Sequence, residues 1–160
     1  VLTPKIEDYY LAPMELVGLT THFRGAMEPD ADYDVVIPSL WQQLDDVVVA
    51  GGVLGVRRFG LITVTDVPGL MRYDACILAT GGDTSALSVV SFPGGRYVCV
   101  EHQGSLETLA DTVRWFYGEY LLTAPYELID GAHVEMYDQR FTNDATSVMT
   151  VGAPYRFSRS

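Results

Sequence analysis

The sequence predicts an α+β protein made of two similar halves. Three observations lead there. Between Phe92 and Asp138 the apolar pattern runs with period two, then helical period, then period two again, so a strand, a helix and a returning strand follow one another. A weaker form of the same order occurs earlier, between about Val17 and Asp66. Hydrophobic residues make up 48% of the 160 positions and charged residues only 19%. That balance excludes a disordered chain, and no apolar run is long enough to span a bilayer. The length suits a single domain, 1–160, with a sizeable core and internal repeats at about 13–90 and 91–158.

Residues 1–12 are mixed, with the acids Glu7 and Asp8 beside Tyr9 and Tyr10. Pro13 opens a first strand that runs to about Phe23. Arg24 to Asp34 is an acidic loop. Its Glu28, Asp30, Asp32 and Asp34 lack the central Gly and closing Glu of a calcium-binding hand, so it reads as a solvated loop. Ile37, Leu40, Trp41, Leu44 and Val48 form a helical stripe over about Pro38–Val49, with Pro38 near the first turn. Ala50 to Gly55 is a Gly-rich link without the spacing or Lys of a phosphate loop. Val56–Val64 and Tyr73–Ala79 are strands, and Leu87–Phe92 leads to the next turn.

The second half opens with a turn at Pro93, Gly94 and Gly95. Arg96 to His102 alternates as a half-buried strand. Ser105 is placed to cap the next helix. Leu106, Leu109, Val113, Phe116, Tyr117, Tyr120 and Leu121 give that helix one apolar face, and Pro125 stops it. His133 to Tyr137 is the returning strand, with His133, Glu135 and Tyr137 on one face and Val134 and Met136 on the other. Val148–Phe157 is a last strand. Gly152 and Pro154 interrupt it, which predicts a sheet edge.

The formal net charge of −11 argues against direct nucleic-acid binding, which needs clustered Lys and Arg. It is compatible with drawing in cationic ligands. No signal peptide is visible, so a cytoplasmic protein is expected, although Val1 is not an initiator Met and the chain reads as trimmed there. Cys76 and Cys99 lie in apolar strands and read as buried, reduced thiols. His133-Val134-Glu135 lacks the Pro-Cys-x-x-Cys partner of a zinc deaminase. His22, His102 and His133 show no metal-ligand spacing, and each reads as a hydrogen-bonded strand histidine. There is no nucleophile elbow. No cofactor and no metal is therefore expected.

Glu135 is the residue the pattern singles out. A strand Glu usually faces water, but this one shares its face with His133 and Tyr137. The preceding helix brings Trp115, Phe116, Tyr117 and Tyr120. Phe116 and Tyr120 belong to the core stripe, whereas Trp115 lies off it and is free to line a groove. An acid among aromatic rings suits a lipophilic cation, through charge and cation–π attraction. Laying Asp66 on Asp138 puts uncharged Thr63 opposite Glu135, so only the second half carries the acid.

Taken in order, Val17-Gly18-Leu19, Arg72-Tyr-Asp-Ala-Cys76, Phe92-Pro-Gly-Gly-Arg-Tyr97 with His102-Gln-Gly104, Val134-Glu-Met-Tyr137 and the last strand with Pro154 carry a family pattern. At these positions the chain resembles the GyrI-like effector-binding family, the ligand-binding fold of the Rob and BmrR regulators, also found as stand-alone proteins. The resemblance implies two strand–helix–strand–strand modules forming an antiparallel sheet, with both main helices on one face and a groove between them. It implies that Glu135 is the groove acid that meets cationic aromatic ligands, with Tyr137, Trp115 and Trp41 as groove walls beside Tyr117 and His133. The expected activity is binding, not turnover, of small lipophilic cations. Hydrolysis of cyclopropane-containing electrophiles and protein binding of the gyrase-inhibitor kind are the alternatives the family offers. No DNA-reading segment is encoded in these residues, so direct DNA regulation by this chain is not expected.

Overall fold

The computed structural model describes residues 3–158; Val1, Leu2, Arg159 and Ser160 lie outside the described residues. The protein is α+β, and the strand pairings described are all antiparallel. The strands are β1 (Ile6–Leu11), β2 (Met14–Arg24), β3 (Arg58–Val64), β4 (Leu70–Ile77), β5 (Ser88–Phe92), β6 (Gly95–Gln103), β7 (Tyr126–Leu128), β8 (His133–Tyr137) and β9 (Val148–Phe157). The chain divides into two compact units. One is Pro13–Pro93; the other joins the N-terminal stretch up to Ala12 to the chain from Gly94 onward.

In the Pro13–Pro93 unit, β3 pairs with β4, β4 with β2, and β2 with β5. Helix α1 (Tyr33–Gly51) packs on β2 and β4. Its Leu40 and Leu44 close on Phe23, Tyr73 and Ala75, with Ile37, Trp41 and Val48 around them, the stripe expected from the periodicity. The helix starts earlier than expected, so Pro38 lies inside it and not at its first turn. Asp32 makes the early start possible. Its carbonyl accepts the N–H groups of Val35 and Val36, and Asp34 supplies a negative charge where the helix dipole favours one. Pro38 then costs the bond its missing N–H would have made to the turn before. Gly52 ends the helix in the left-handed conformation (φ 57°), with its N–H turned back on Val48 and Val49.

The other unit repeats the ladder: β8 pairs with β9, β9 with β6, and β6 with β1. Here the strand beside β6 comes from the N-terminus, the stretch read as mixed. Its register runs from Ile6 opposite Val100 to Leu11 opposite Gly95. The last strand is not an edge. β9 lies between β6 and β8 over residues 150–152, and its end pairs with β7. Pro154 falls between the β8 ladder, which stops at Gly152, and the β7 ladder, which starts at Tyr155, so its missing N–H interrupts neither. Gly152 is there for closeness. A Cβ on it would lie 2.8 Å from Cys99 Sγ and 3.0 Å from Val134 Cγ2.

The second helical segment is not one continuous α-helix. It begins as a 3-10 turn at Leu106–Thr108, continues as α2 (Leu109–Trp115), widens into a π turn at Phe116–Tyr120 and closes with α3 (Leu121–Thr123). Ser105 stands at its start but does not cap it with its side chain. The Leu106 N–H donates to Asn143 Oδ1 at 2.9 Å instead. Ser105 serves through its carbonyl, which lies 2.8 Å from His102 Nε2. His102 is buried, and its Nδ1 is 2.7 Å from the Thr112 hydroxyl, so the ring ties β6 to the start of the helical segment. The segment's core is Val98, Val100, Phe116, Leu121, Met149, Val151, Ala153 and Tyr155.

Candidate functional site

The candidate site is built on β8 and the π turn. In an antiparallel ladder, residues directly opposite each other point to the same side. Glu135 is opposite Val151, a member of the helix-side core. The carboxylate therefore lies on the helix-covered face, with Tyr137, which packs against the same core. Its neighbours in sequence, Val134 and Met136, alternate to the other face, as the period-two pattern of His133–Tyr137 requires.

Two hydrogen bonds organise this face. The Tyr137 hydroxyl donates to Glu135 Oε1 at 3.3 Å. The Tyr117 hydroxyl lies 2.6 Å from His133 Nδ1, with the two rings 5.5 Å apart. Burial pushes the Tyr137 and Tyr117 phenols well above the ordinary tyrosine value, and the nearby charge of Glu135 adds to both shifts. Burial pushes the His133 imidazolium the opposite way, below its usual 6.5. Both shifts favour neutral partners, so Tyr117 donates and His133 accepts.

Aromatic side chains surround this set. Phe116 is fully buried and meets Tyr117 edge-on at 5.0 Å. Trp115, expected to line a groove, is half-buried and stacks on Tyr120 at 5.4 Å. Tyr120, read as ordinary core, is thus also the ring that holds Trp115. Phe141 meets Tyr137 edge-on at 4.9 Å. It was missed because it stands alone before a polar stretch, with no periodicity to mark it. Trp41 belongs to the Pro13–Pro93 unit, where its indole N–H donates to the Tyr73 hydroxyl at 3.0 Å. The structure thus groups Glu135, Tyr137, His133, Tyr117 and Trp115 within one unit. Among the described residues, no cluster of three His, Cys, Asp or Glu could hold a metal ion, and no helix is long and apolar enough to cross a membrane.

A helix-covered antiparallel ladder with a carboxylate among aromatic rings defines a small-molecule-binding α+β domain. The sequence matches the model of the GyrI-like small molecule binding domain over residues 4–156, and the chain belongs to that family. The fold is similar to that of SAV2435, solved bound to tetraphenylphosphonium, with 15% identity, TM-score 0.72, and 95% of this chain and 94% of that one covered. It is similar to the EcmrR C-terminal domain, with 13% identity, TM-score 0.70, and 98% and 99% covered. A hydrolase from Listeria innocua shares it more loosely, with 17% identity, TM-score 0.51, and 95% and 92% covered. At these identities the likeness is one of fold. No curated protein sequence matches the chain significantly.

Proposed function

We propose that this domain binds small lipophilic aromatic cations at the Glu135 face, without turning them over. The observation that carries the reading is the position of Glu135 on the helix-covered side of β8, bonded by Tyr137 and close enough to Tyr117 for its charge to act on that phenol. A carboxylate there offers a charge partner in surroundings of low polarity, where Coulomb attraction is stronger than in water. The rings offer apolar area and cation–π faces. SAV2435, which shares the fold, was solved with tetraphenylphosphonium, a ligand of this chemistry.

The test compares a cation with a neutral molecule of similar shape, methyltriphenylphosphonium and triphenylphosphine oxide, by titration calorimetry. Glu135→Gln keeps the side chain's shape and removes its charge. An interaction with a charged group contributes about 1.5–3 kcal/mol, so the cation should bind about one to two orders of magnitude more weakly to the variant. The phosphine oxide should change little. Equal losses for both ligands would make Glu135 structural and end the cation reading.

One observation favours a second reading, hydrolysis of an electrophilic substrate. The Tyr117–His133 hydrogen bond sets a proton donor and acceptor on the same strand face as the carboxylate. Mass spectrometry of the protein incubated with a duocarmycin-like cyclopropane distinguishes the two. Catalytic ring-opening that disappears in Glu135→Gln would replace binding by hydrolysis.

A further inference from the structure

His133 is a side chain of this face, other than the cation's partner, of the kind that changes charge near neutral pH. Its place follows from strand geometry. It stands two residues before Glu135 on a five-residue strand, so both side chains project to the same face. Its Nδ1 is held by the Tyr117 hydroxyl at 2.6 Å. We infer that His133 is a proton-operated gate on the cation site: neutral, it accepts the Tyr117 hydrogen bond and leaves the face negative; protonated, it sets a competing positive charge there and turns the cation away. This rests on the cation-binding reading and adds a regulation to it.

The geometry gives the gate two parts. An imidazolium has no acceptor nitrogen, so protonation breaks the Tyr117 hydrogen bond as it stands. The phenol must then swing its hydrogen away and offer an oxygen lone pair to the ring N–H. At the same time Glu135 gains a protein cation on its own strand face, which competes with the ligand. Tyr97 and Cys99 on β6 lie in register with Pro154 and Gly152, on the Val134 side of the sheet, whereas Tyr137 shares the face of Glu135. Tyr97 on β6 donates its hydroxyl to the Ala132 carbonyl at 2.7 Å, and burial pushes its phenol up to about 12. Cys99 on β6 is buried, its thiol pushed up to about 11. Tyr137 on β8 is held far above its ordinary value. β9 brings Val151, Gly152 and Ala153, none of which titrates. The helix-covered face also carries His102 on β6, held by the Thr112 hydroxyl and the Ser105 carbonyl, and its titration is followed separately.

Linkage fixes the sign. A bound cation makes the second positive charge harder to place, so it lowers the His133 pKa further. By reciprocity, protonating His133 weakens the cation. Affinity is full above the free protein's His133 pKa and falls by up to about tenfold per pH unit below it, until the pKa of the complex is reached. Within that window, binding releases protons.

The test uses the whole chain with methyltriphenylphosphonium as probe. Titration calorimetry in buffers of different ionisation enthalpy, at several pH values between about 5 and 7.5, gives the protons released per cation bound. Imidazole NMR gives the His133 pKa with and without the probe; His22 and His102 serve as internal controls. The gate requires proton release on binding and a His133 pKa that falls by about one unit in the complex. In His133→Asn the proton release on binding must disappear and the acid-side loss of affinity must move to lower pH. A merely structural histidine would lower affinity at every pH and leave the proton count unchanged. Failure of the probe to bind the native protein at pH 7.5 would refute the cation-binding reading itself. Glu135-dependent binding with an unchanged His133 pKa would refute the gate alone.

Discussion

Close packing at Gly152 supports the strand that carries the site. Gly152 on β9 lies between Cys99 on β6 and Val134 on β8. Adding one methyl, Gly152→Ala, puts a carbon 2.8 Å from Cys99 Sγ, 3.0 Å from Val134 Cγ2 and 3.4 Å from Tyr97 Cδ2. Cys99 is 3% exposed and Val134 1%, so neither has solvent to move into. Forcing a methyl into such a core costs about 1–3 kcal/mol. For a chain of this size that lowers Tm by roughly 3–10 °C. The strain falls on Val134, between His133 and Glu135, so cation affinity should fall too. Cys99→Ala removes the sulfur that is struck first. Alone it should destabilise by about 1 kcal/mol through lost burial; combined with Gly152→Ala it should give back part of the loss. Urea denaturation of the four proteins measures the cycle. A favourable coupling of at least about 0.5 kcal/mol is expected. A Gly152→Ala variant as stable as the parent, or strictly additive effects, would refute the packing argument.

Three further outcomes follow from the same structure. His102→Leu removes a ring whose two nitrogens lie at hydrogen-bond distance from Thr112 and the Ser105 carbonyl. It should cost about 1–3 kcal/mol, and hydrogen exchange should quicken first at the start of the helical segment. His133 has its folded pKa below 6.5, so its neutral form contributes stability that is present above pH 6.5 and lost as pH falls through the folded value. Urea midpoints should decline across that window, and less steeply in His133→Asn; identical slopes would show that the ring is not desolvated. Burial pushes Cys76 up to about 12 and Cys99 up to about 11. A thiol reagent at pH 8 should therefore leave the native protein unmodified and label both cysteines in guanidinium; rapid labelling of the native protein would contradict their burial.

Much of this architecture is written in local periodicity. The stripe Ile37, Leu40, Trp41, Leu44, Val48 records which side of α1 is buried, because a helix repeats every 3.6 residues whatever it packs against. His133–Tyr137 likewise declares its two faces by alternation alone, and that placed Glu135 with His133 and Tyr137 before any fold was known. Partner choice leaves no such record. Nothing local in Ile6–Leu11 says that it pairs with a strand some ninety residues away, and the Pro and Gly of β9 looked like an edge until β8 and β7 were seen to share its length. Ser105 had the chemistry of a cap, but Asn143, 37 residues beyond Leu106, took the position. The π turn and the Tyr117–His133 hydrogen bond are of the same kind. Tyr117 falls on an apolar stripe in the sequence, and only the packing of the helical segment onto β6 and β9 brings its hydroxyl to the imidazole. The sequence by itself determined which faces are apolar and where the acid stands. The tertiary structure decided which groups meet that acid, because hydrogen bonds between distant residues depend on register and approach, which no local pattern encodes.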